Sequence, residues 1–154
     1  MRKLLLTVLA LVMLSSSCLA ANWEWIHSNS EKGYFFDTDS IVFDTSPDKK
    51  TVNRDKFYAW VKIVFDPAYA KKKYQRDDIA YCIDRFGFDL ANNKLCEKET
   101  IYYSNEKEVL ATFKDITKWQ NTIPDSIGEH LMKHTEKYVR AHTEEIEQRT
   151  RGTR

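Results

Sequence analysis

Two histidines four residues apart, His130 and His134, are the clearest candidates for metal chemistry in this sequence. On a helix this spacing places both rings on one face, as in helical zinc pairs. Glu129 precedes the first histidine instead of following it, so the segment does not match the His-Glu-x-x-His motif of metalloproteases. A third ligand would have to come from elsewhere. We interpret the pair as one solvated and one half-buried histidine of an ordinary helix, and we expect neither a metal nor a cofactor.

Three aspartates, Asp37, Asp39 and Asp44, lie close together in the sequence. Calcium-binding loops contain acidic residues at alternating positions. The glycine and the distal glutamate of an EF-hand are missing, so we expect a bend whose carboxylates cap backbone N–H groups. A catalytic nucleophile would need a positioned base, and no serine or cysteine lies in a motif that places a histidine beside it. The sequence therefore favours a protein without enzymatic activity.

A short basic segment with interleaved tyrosines is a candidate for contact with an acidic partner. Its residues are Tyr69, Lys71, Lys72, Lys73, Tyr74 and Arg76. Such a segment could meet a sulfated glycan or an acidic protein surface, and it is also typical of a solvated loop. The formal net charge is only +1, so the chain lacks the broad positive field that nucleic-acid binding requires.

Two cysteines, Cys82 and Cys96, remain after the N-terminal segment. The pair Asn92-Asn93 predicts a turn that would place Cys82 near Tyr103 and Cys96 near Asp89. The two cysteines would then lie on the order of 20 Å apart along the sheet, whereas a disulfide needs Cα atoms within about 7 Å. We expect two free thiols; a different turn position or a bond between two chains are the alternatives.

The first 20 residues have the pattern of a secretory signal peptide. Arg2 and Lys3 precede an apolar run from residue 4 to 14, which is too short for a membrane span. Cleavage is predicted after Ala20, so that the mature chain begins at Ala21 or one residue later. In the alternative, Cys18 carries a lipid anchor, although bacterial lipoprotein signals usually have leucine where Ser15 stands. The protein is thus expected to be exported, to the cell surface or the periplasm.

Residues 21–154 are predicted to form one domain, in which a series of strands is followed by a helix. The clearest strand, Phe57–Phe65, alternates an apolar face (Phe57, Ala59, Val61, Ile63, Phe65) with a mixed face (Tyr58, Trp60, Lys62, Val64). Further strands are predicted at 23–26, 34–36, 41–43, 79–90, 95–103 and 109–113, with a polar connection at 66–78. Short turns between them predict an α+β fold, a twisted antiparallel meander of about five to six strands packed against a C-terminal helix.

The helix is predicted from Ser126 to Gln148. Ser126 and Glu129 form a capping box, and apolar residues follow at helical spacing. Residues 149–154 are expected to fray. One helix cannot cover both faces of the sheet, so the mixed face, with Tyr58 and Trp60, is expected to meet a partner. The candidate partner-binding residues are Tyr58, Trp60, Lys71, Lys72, Lys73 and Arg76.

Four passages, taken in order, resemble the surface-adhesin protein E family of small bacterial exported proteins. They are Trp25-Ile26 with residues 34–41, Tyr58–Lys62, Ile101-Tyr102-Tyr103 with Val109-Leu110, and Trp119–Glu129. The chain departs from the family at Asn105-Glu106-Lys107, where a glycine is usual, and at Tyr138-Val139, where a late cysteine is missing. The resemblance implies a twisted antiparallel sheet on a C-terminal helix. It also implies a surface protein that binds host matrix glycoproteins and self-associates.

The function expected from the sequence is therefore that of an exported, non-enzymatic, surface-associated binding protein. Its expected partner is a protein, of the host matrix glycoprotein kind, with homodimerisation as a second association. The alternative is a periplasmic or envelope domain that binds a small ligand or supports the envelope.

Overall fold

Eight antiparallel strands form one sheet, and three helices cover one of its faces. The computed structural model describes residues 21–48 and 50–152. The strands are β1 (Trp23–Ser28), β2 (Lys32–Asp37), β3 (Val42–Thr45), β4 (Val52–Phe65), β5 (Tyr81–Asp89), β6 (Lys94–Tyr103), β7 (Val109–Lys114) and β8 (Gln120–Asn121); the helices are α1 (Pro67–Tyr74), α2 (Ile127–Ala141) and α3 (Thr143–Gly152). The predicted signal peptide, with Cys18 and Ala20, lies outside the described residues.

The strand order is β1-β2-β4-β5-β6-β7, which confirms the predicted α+β fold with an antiparallel meander. The sheet has eight strands, more than the five to six predicted, because β4 and β6 each pair with two successive strands along the same edge. The 3-10 turn Thr38–Ser40 interrupts the chain, so β2 and β3 pair with different parts of β4. In the same way, β7 and β8 both pair with β6.

The apolar face of β4 forms the core, as its alternation predicts. Phe57, Ala59 and Val61 are buried against α2 and α3, which contribute Leu131, Met132, Val139 and Ile146. The rings of Phe57 and Phe88 stack at 4.8 Å between centroids on neighbouring strands. Burial of each such side chain contributes on the order of 1.5–3 kcal/mol, so this face fixes the position of the helices.

The C-terminal helical segment differs from the prediction in two respects. Ser126 caps it as expected, because its hydroxyl accepts the Glu129 N–H at 3.3 Å. The expected single helix of residues 126–148 is wrong, since the chain breaks at His142 and continues as α3. The expected fraying is wrong for residues 149–152, because α3 docks on the sheet: the Thr150 hydroxyl accepts the buried Phe43 N–H at 3.0 Å.

The connection expected at residues 66–78 contains a helix, α1. Asp66 caps it by accepting the N–H groups of Ala68 and Tyr69, and proline occupies the first turn. Ala70 and two tyrosines of α1 pack on Phe65, Ile79 and Cys82, which form a second, smaller core. These strand residues belong to the face that α2 covers, so all three helices lie on the same side of the sheet.

No helix within residues 21–48 and 50–152 combines the length and the apolar character that a membrane crossing requires.

Candidate functional site

None of the described helices covers the second face of the sheet, and we call it the open face. One cross-strand row shows its make-up: Trp25 pairs with Phe35, Phe35 with Lys62, Lys62 with Ile83 and Ile83 with Ile101. Trp23, Tyr58, Trp60, Tyr81 and Tyr103 lie on the same face at neighbouring positions. Trp25 is 54% exposed. The other aromatic residues named are half-buried, so the open face presents a partly exposed aromatic surface.

Two cations lie among these aromatic rings. The Lys62 ammonium is 4.5 Å from the Tyr81 ring centroid and 5.9 Å from that of Trp23. The Arg85 guanidinium is 5.5 Å from the Tyr58 ring, and Tyr81 and Tyr103 stack at 4.9 Å. Each cation–π contact contributes about 0.5–1 kcal/mol at an exposed site. The rings therefore hold both charges in place at the centre of the open face.

Neither Lys62 nor Arg85 forms an ion pair with any residue that the structure describes. Other cations at the margin of the face do: Lys56 pairs with Asp44 at 3.5 Å, and Lys114 with Glu99 at 3.8 Å. Glu99 lies opposite Arg85 in the sheet, yet its recorded ion pair is with Lys114. The centre of the open face therefore carries two cations that form no ion pair among the described residues, beside the carboxylates of Asp37 and Glu99.

A groove of about 260 Å³ lies at this centre. Its lining comprises three aromatic side chains, Trp23, Trp60 and Tyr103, together with Ala21, Asp37, Ile83 and Ile101. The Asp37 carboxylate accepts the N–H groups of Asn22 and Asp39 at 3.0 and 3.1 Å, which confirms for this residue the predicted capping role. The carboxylate is thereby directed toward the backbone.

Trp119 occupies the far end of the open face, where its ring lies over Gly87. A Cβ at Gly87 would lie 2.9 Å from both the Trp119 ring and the Cys96 sulfur. The Lys56 ammonium is 4.9 Å from the same indole. Glycine at position 87 is therefore needed because the Trp119 ring packs directly on the backbone.

The structure separates the predicted partner-binding residues into two groups. Tyr58 and Trp60 lie on the open face, half-buried. Lys71, Lys72 and Lys73 are exposed on α1, on the helical side of the sheet. Arg76 is engaged by Asp78, with bonds of 2.7 and 2.5 Å. The basic segment is therefore not placed to act together with Tyr58 and Trp60.

The sequence analysis did not identify Trp23, Tyr81, Arg85 and Tyr103 as neighbours of Trp60. Alternation within β5 and β6 is the signal that could have found them, since residues 81, 83 and 85 share one face. Their lateral alignment depends on the bulge between Arg85 and Phe86, which moves the β5–β6 register by one residue.

A second unusual feature, also missed, is the carboxyl group of Asp84 in the core face. Asp84 is 4% exposed, and its Oδ1 has no hydrogen-bond partner within residues 21–48 and 50–152. Burial, followed by the charge of Glu97, raises the pKa of Asp84 to about 7. The Thr100 hydroxyl donates to Glu97. This carboxyl group therefore titrates near neutral pH inside the sheet–helix core.

The two cysteines are free and buried, which confirms the expected free thiols. Cys82 pairs with Tyr102 in the core face, whereas Cys96 pairs with Gly87 under the open face. Both partners differ slightly from those expected because the turn is centred earlier than Asn92-Asn93, so that Asp89 pairs with Lys94. Burial, followed by the charge of Asp84, raises the pKa of the Cys82 thiol, so this thiol is unreactive in the folded protein.

The histidine pair is incorporated in the contact between α2 and β1. The rings of His130 and His27 stack at 4.8 Å, and His134 Nδ1 lies 3.1 Å from the His130 carbonyl oxygen. Across the described ranges, no group of three or more histidine, cysteine, aspartate or glutamate side chains is arranged to hold a metal ion.

No protein-family model matches the chain, and no curated protein gives a match. The resemblance to the surface-adhesin protein E family therefore stays a prediction, made from the residues alone.

Proposed function

We propose that this is an exported, non-enzymatic binding protein of the cell surface, and that its open face contacts a host matrix glycoprotein. The observation that supports this most is the pair of cations, Lys62 and Arg85, held by aromatic rings on an uncovered sheet face. Aromatic and arginine side chains are the residues most often found at energetically dominant interface positions.

The proposal is tested with the purified chain from Ala21 to Arg154. We expect it to bind at least one member of a panel of immobilised matrix glycoproteins, namely fibronectin, laminin and collagen IV. Association should weaken as salt is added, because the cations are exposed to solvent. Absence of binding to the whole panel at low salt would overturn the proposal.

Location is tested separately, on intact cells. A surface protein should be cleaved by added protease, and mass spectrometry should find an N-terminus at Ala21 or Asn22. A lipid-modified Cys18 at the N-terminus would replace the free form by an anchored one.

The alternative is a periplasmic or envelope domain that binds a small ligand, and the groove between Trp23, Trp60 and Tyr103 favours it. Complete protection from external protease, together with failure to bind the glycoprotein panel, would support this second function. Self-association through the open face is a third outcome. Sedimentation of the purified chain would then detect a dimer.

A further inference from the structure

We propose that the open-face groove binds an acidic glycan, with a pyranose ring stacked between its aromatic walls and the carboxylate or sulfate groups of the glycan beside Lys62 and Arg85. This inference rests on the proposed function, because it names the chemistry that the open face recognises. It assigns binding to the opposite side of the sheet from the lysines of α1.

The aromatic lining of the groove matches the shape of a sugar ring. Aromatic rings offer large, flat apolar surfaces, and the C–H faces of a pyranose ring are flat and apolar in the same way. Trp23, Trp60 and Tyr103 supply three such surfaces around a volume of about 260 Å³. This volume lies slightly below the range of roughly 300–1,000 Å³ that is typical of small-molecule sites. One or two sugar units therefore suit it better than a large ligand.

The charges of Lys62 and Arg85 favour an acidic ligand over a neutral one. Lys62 contacts the Trp23 ring, which is a wall of the groove, and Arg85 follows Ile83 on the same face of β5. Neither cation forms an ion pair within the described part of the chain. The carboxylate of Asp37 lines the groove itself, and its Oδ1 accepts two backbone N–H groups, so the anionic groups of the glycan are expected at Lys62 and Arg85 and away from Asp37. A neutral sugar would leave both cations without a counter-charge. An acidic glycan supplies the counter-charge and the ring together.

An acidic polypeptide is the competing partner, and it would use the cations in the same way. It would not use the groove, because aspartate and glutamate side chains have no flat apolar surface to place against Trp23 and Trp60. The test therefore compares acidic glycans with an acidic polypeptide, which lacks the sugar ring, and with a neutral glycan, which lacks the charge.

The experiment measures the affinity of the chain from Ala21 to Arg154 for four probes: a chondroitin sulfate octasaccharide, a hyaluronan octasaccharide, neutral dextran and polyglutamate. We expect binding of at least one of the two acidic glycans, and none of dextran or polyglutamate. Hyaluronan carries carboxylates without sulfates, so the comparison shows which anion the cations prefer. Binding of polyglutamate as tight as that of the glycans, or of neither acidic glycan, would overturn the inference.

Variants locate the site. Lys62→Gln with Arg85→Gln should weaken glycan binding by about tenfold or more, since bonds to charged groups are lost. Lys72→Gln with Lys73→Gln is the matched control, because it removes the same charge from the helical side. Trp60→Phe should reduce the change in tryptophan fluorescence that the glycan produces. Equal losses in the two double variants would contradict the inference.

Enzymatic removal of glycans from the matrix glycoproteins separates the two proposals. Binding that persists after deglycosylation, and is lost in the Lys62 and Arg85 variant, leaves the proposed function intact and rejects the glycan.

Discussion

Replacing Asp84 with asparagine should change how the stability of the protein depends on pH. The side chain lies in the core face of β5, and in the folded protein its pKa is about 7 instead of the ordinary 3.8. Because this pKa is raised, the folded state binds the proton more tightly than the unfolded chain does. The stabilisation is fully present below about pH 4 and is lost as the pH rises through about 7.

The magnitude follows from the two pKa values. One pKa unit corresponds to about 1.4 kcal/mol, so the wild-type free energy of unfolding should lose up to about 4 kcal/mol through this group between pH 4 and pH 8. Asparagine cannot ionise. The variant should therefore resemble the wild type near pH 4 and be more stable near pH 8, by roughly 2–4 kcal/mol.

Urea unfolding followed by tryptophan fluorescence measures this difference at each pH. Exposed acids whose pKa is lowered, such as Glu129 and Glu147, affect both proteins alike, so they cancel in the difference. A difference between Asp84→Asn and wild type that stays constant from pH 4 to pH 8 would refute the reasoning.

Three further predictions concern packing and the thiols. Gly87→Ala should lower the free energy of unfolding by about 1–3 kcal/mol, because its Cβ would lie 2.9 Å from the Trp119 ring. Gly152→Ala is the control and should change the free energy of unfolding by less than about 0.5 kcal/mol, because a Cβ there meets nothing within 4 Å. Equal effects of the two substitutions would contradict the contact with Trp119. Thr150→Val should cost about 1–3 kcal/mol in urea unfolding, because the buried Phe43 N–H loses its acceptor; no change would mean that α3 does not dock there. Cys82 and Cys96 should react with a thiol reagent only after unfolding without reductant, and a linked peptide in a non-reducing digest would contradict the two free thiols.

The sequence predicts those elements whose pattern is complete within one segment. Alternation along β4 identifies its buried and mixed faces, and the Ser126 hydroxyl marks the start of α2. Helix α1 was missed because three successive lysines leave it without an apolar stripe, although Asp66-Pro67 is a helix-start signal. The break at His142 depends on how α3 docks against Phe43, a contact 107 residues away in sequence.

The candidate site could be predicted only in part, because its residues come from several strands. Tyr58 and Trp60 belong to one strand, so their shared face follows from alternation alone. Their neighbours Trp23 and Tyr103 come from other strands, and their alignment depends on bulges and on the side that the helices cover. The lysines of α1 were grouped with Tyr58 and Trp60 because sequence does not show on which side of the sheet a connection returns.

The central claim is that the open face, and not the helical side, contacts the partner. It is tested most directly by comparing two charge reversals for binding to the matrix glycoprotein panel at low salt: Lys62→Glu with Arg85→Glu, and Lys72→Glu with Lys73→Glu. Both variants change the net charge equally, so a general electrostatic effect would alter them alike. We predict that the first variant loses binding while the second retains it. Loss in the second variant with retention in the first would contradict the claim and assign the contact to α1.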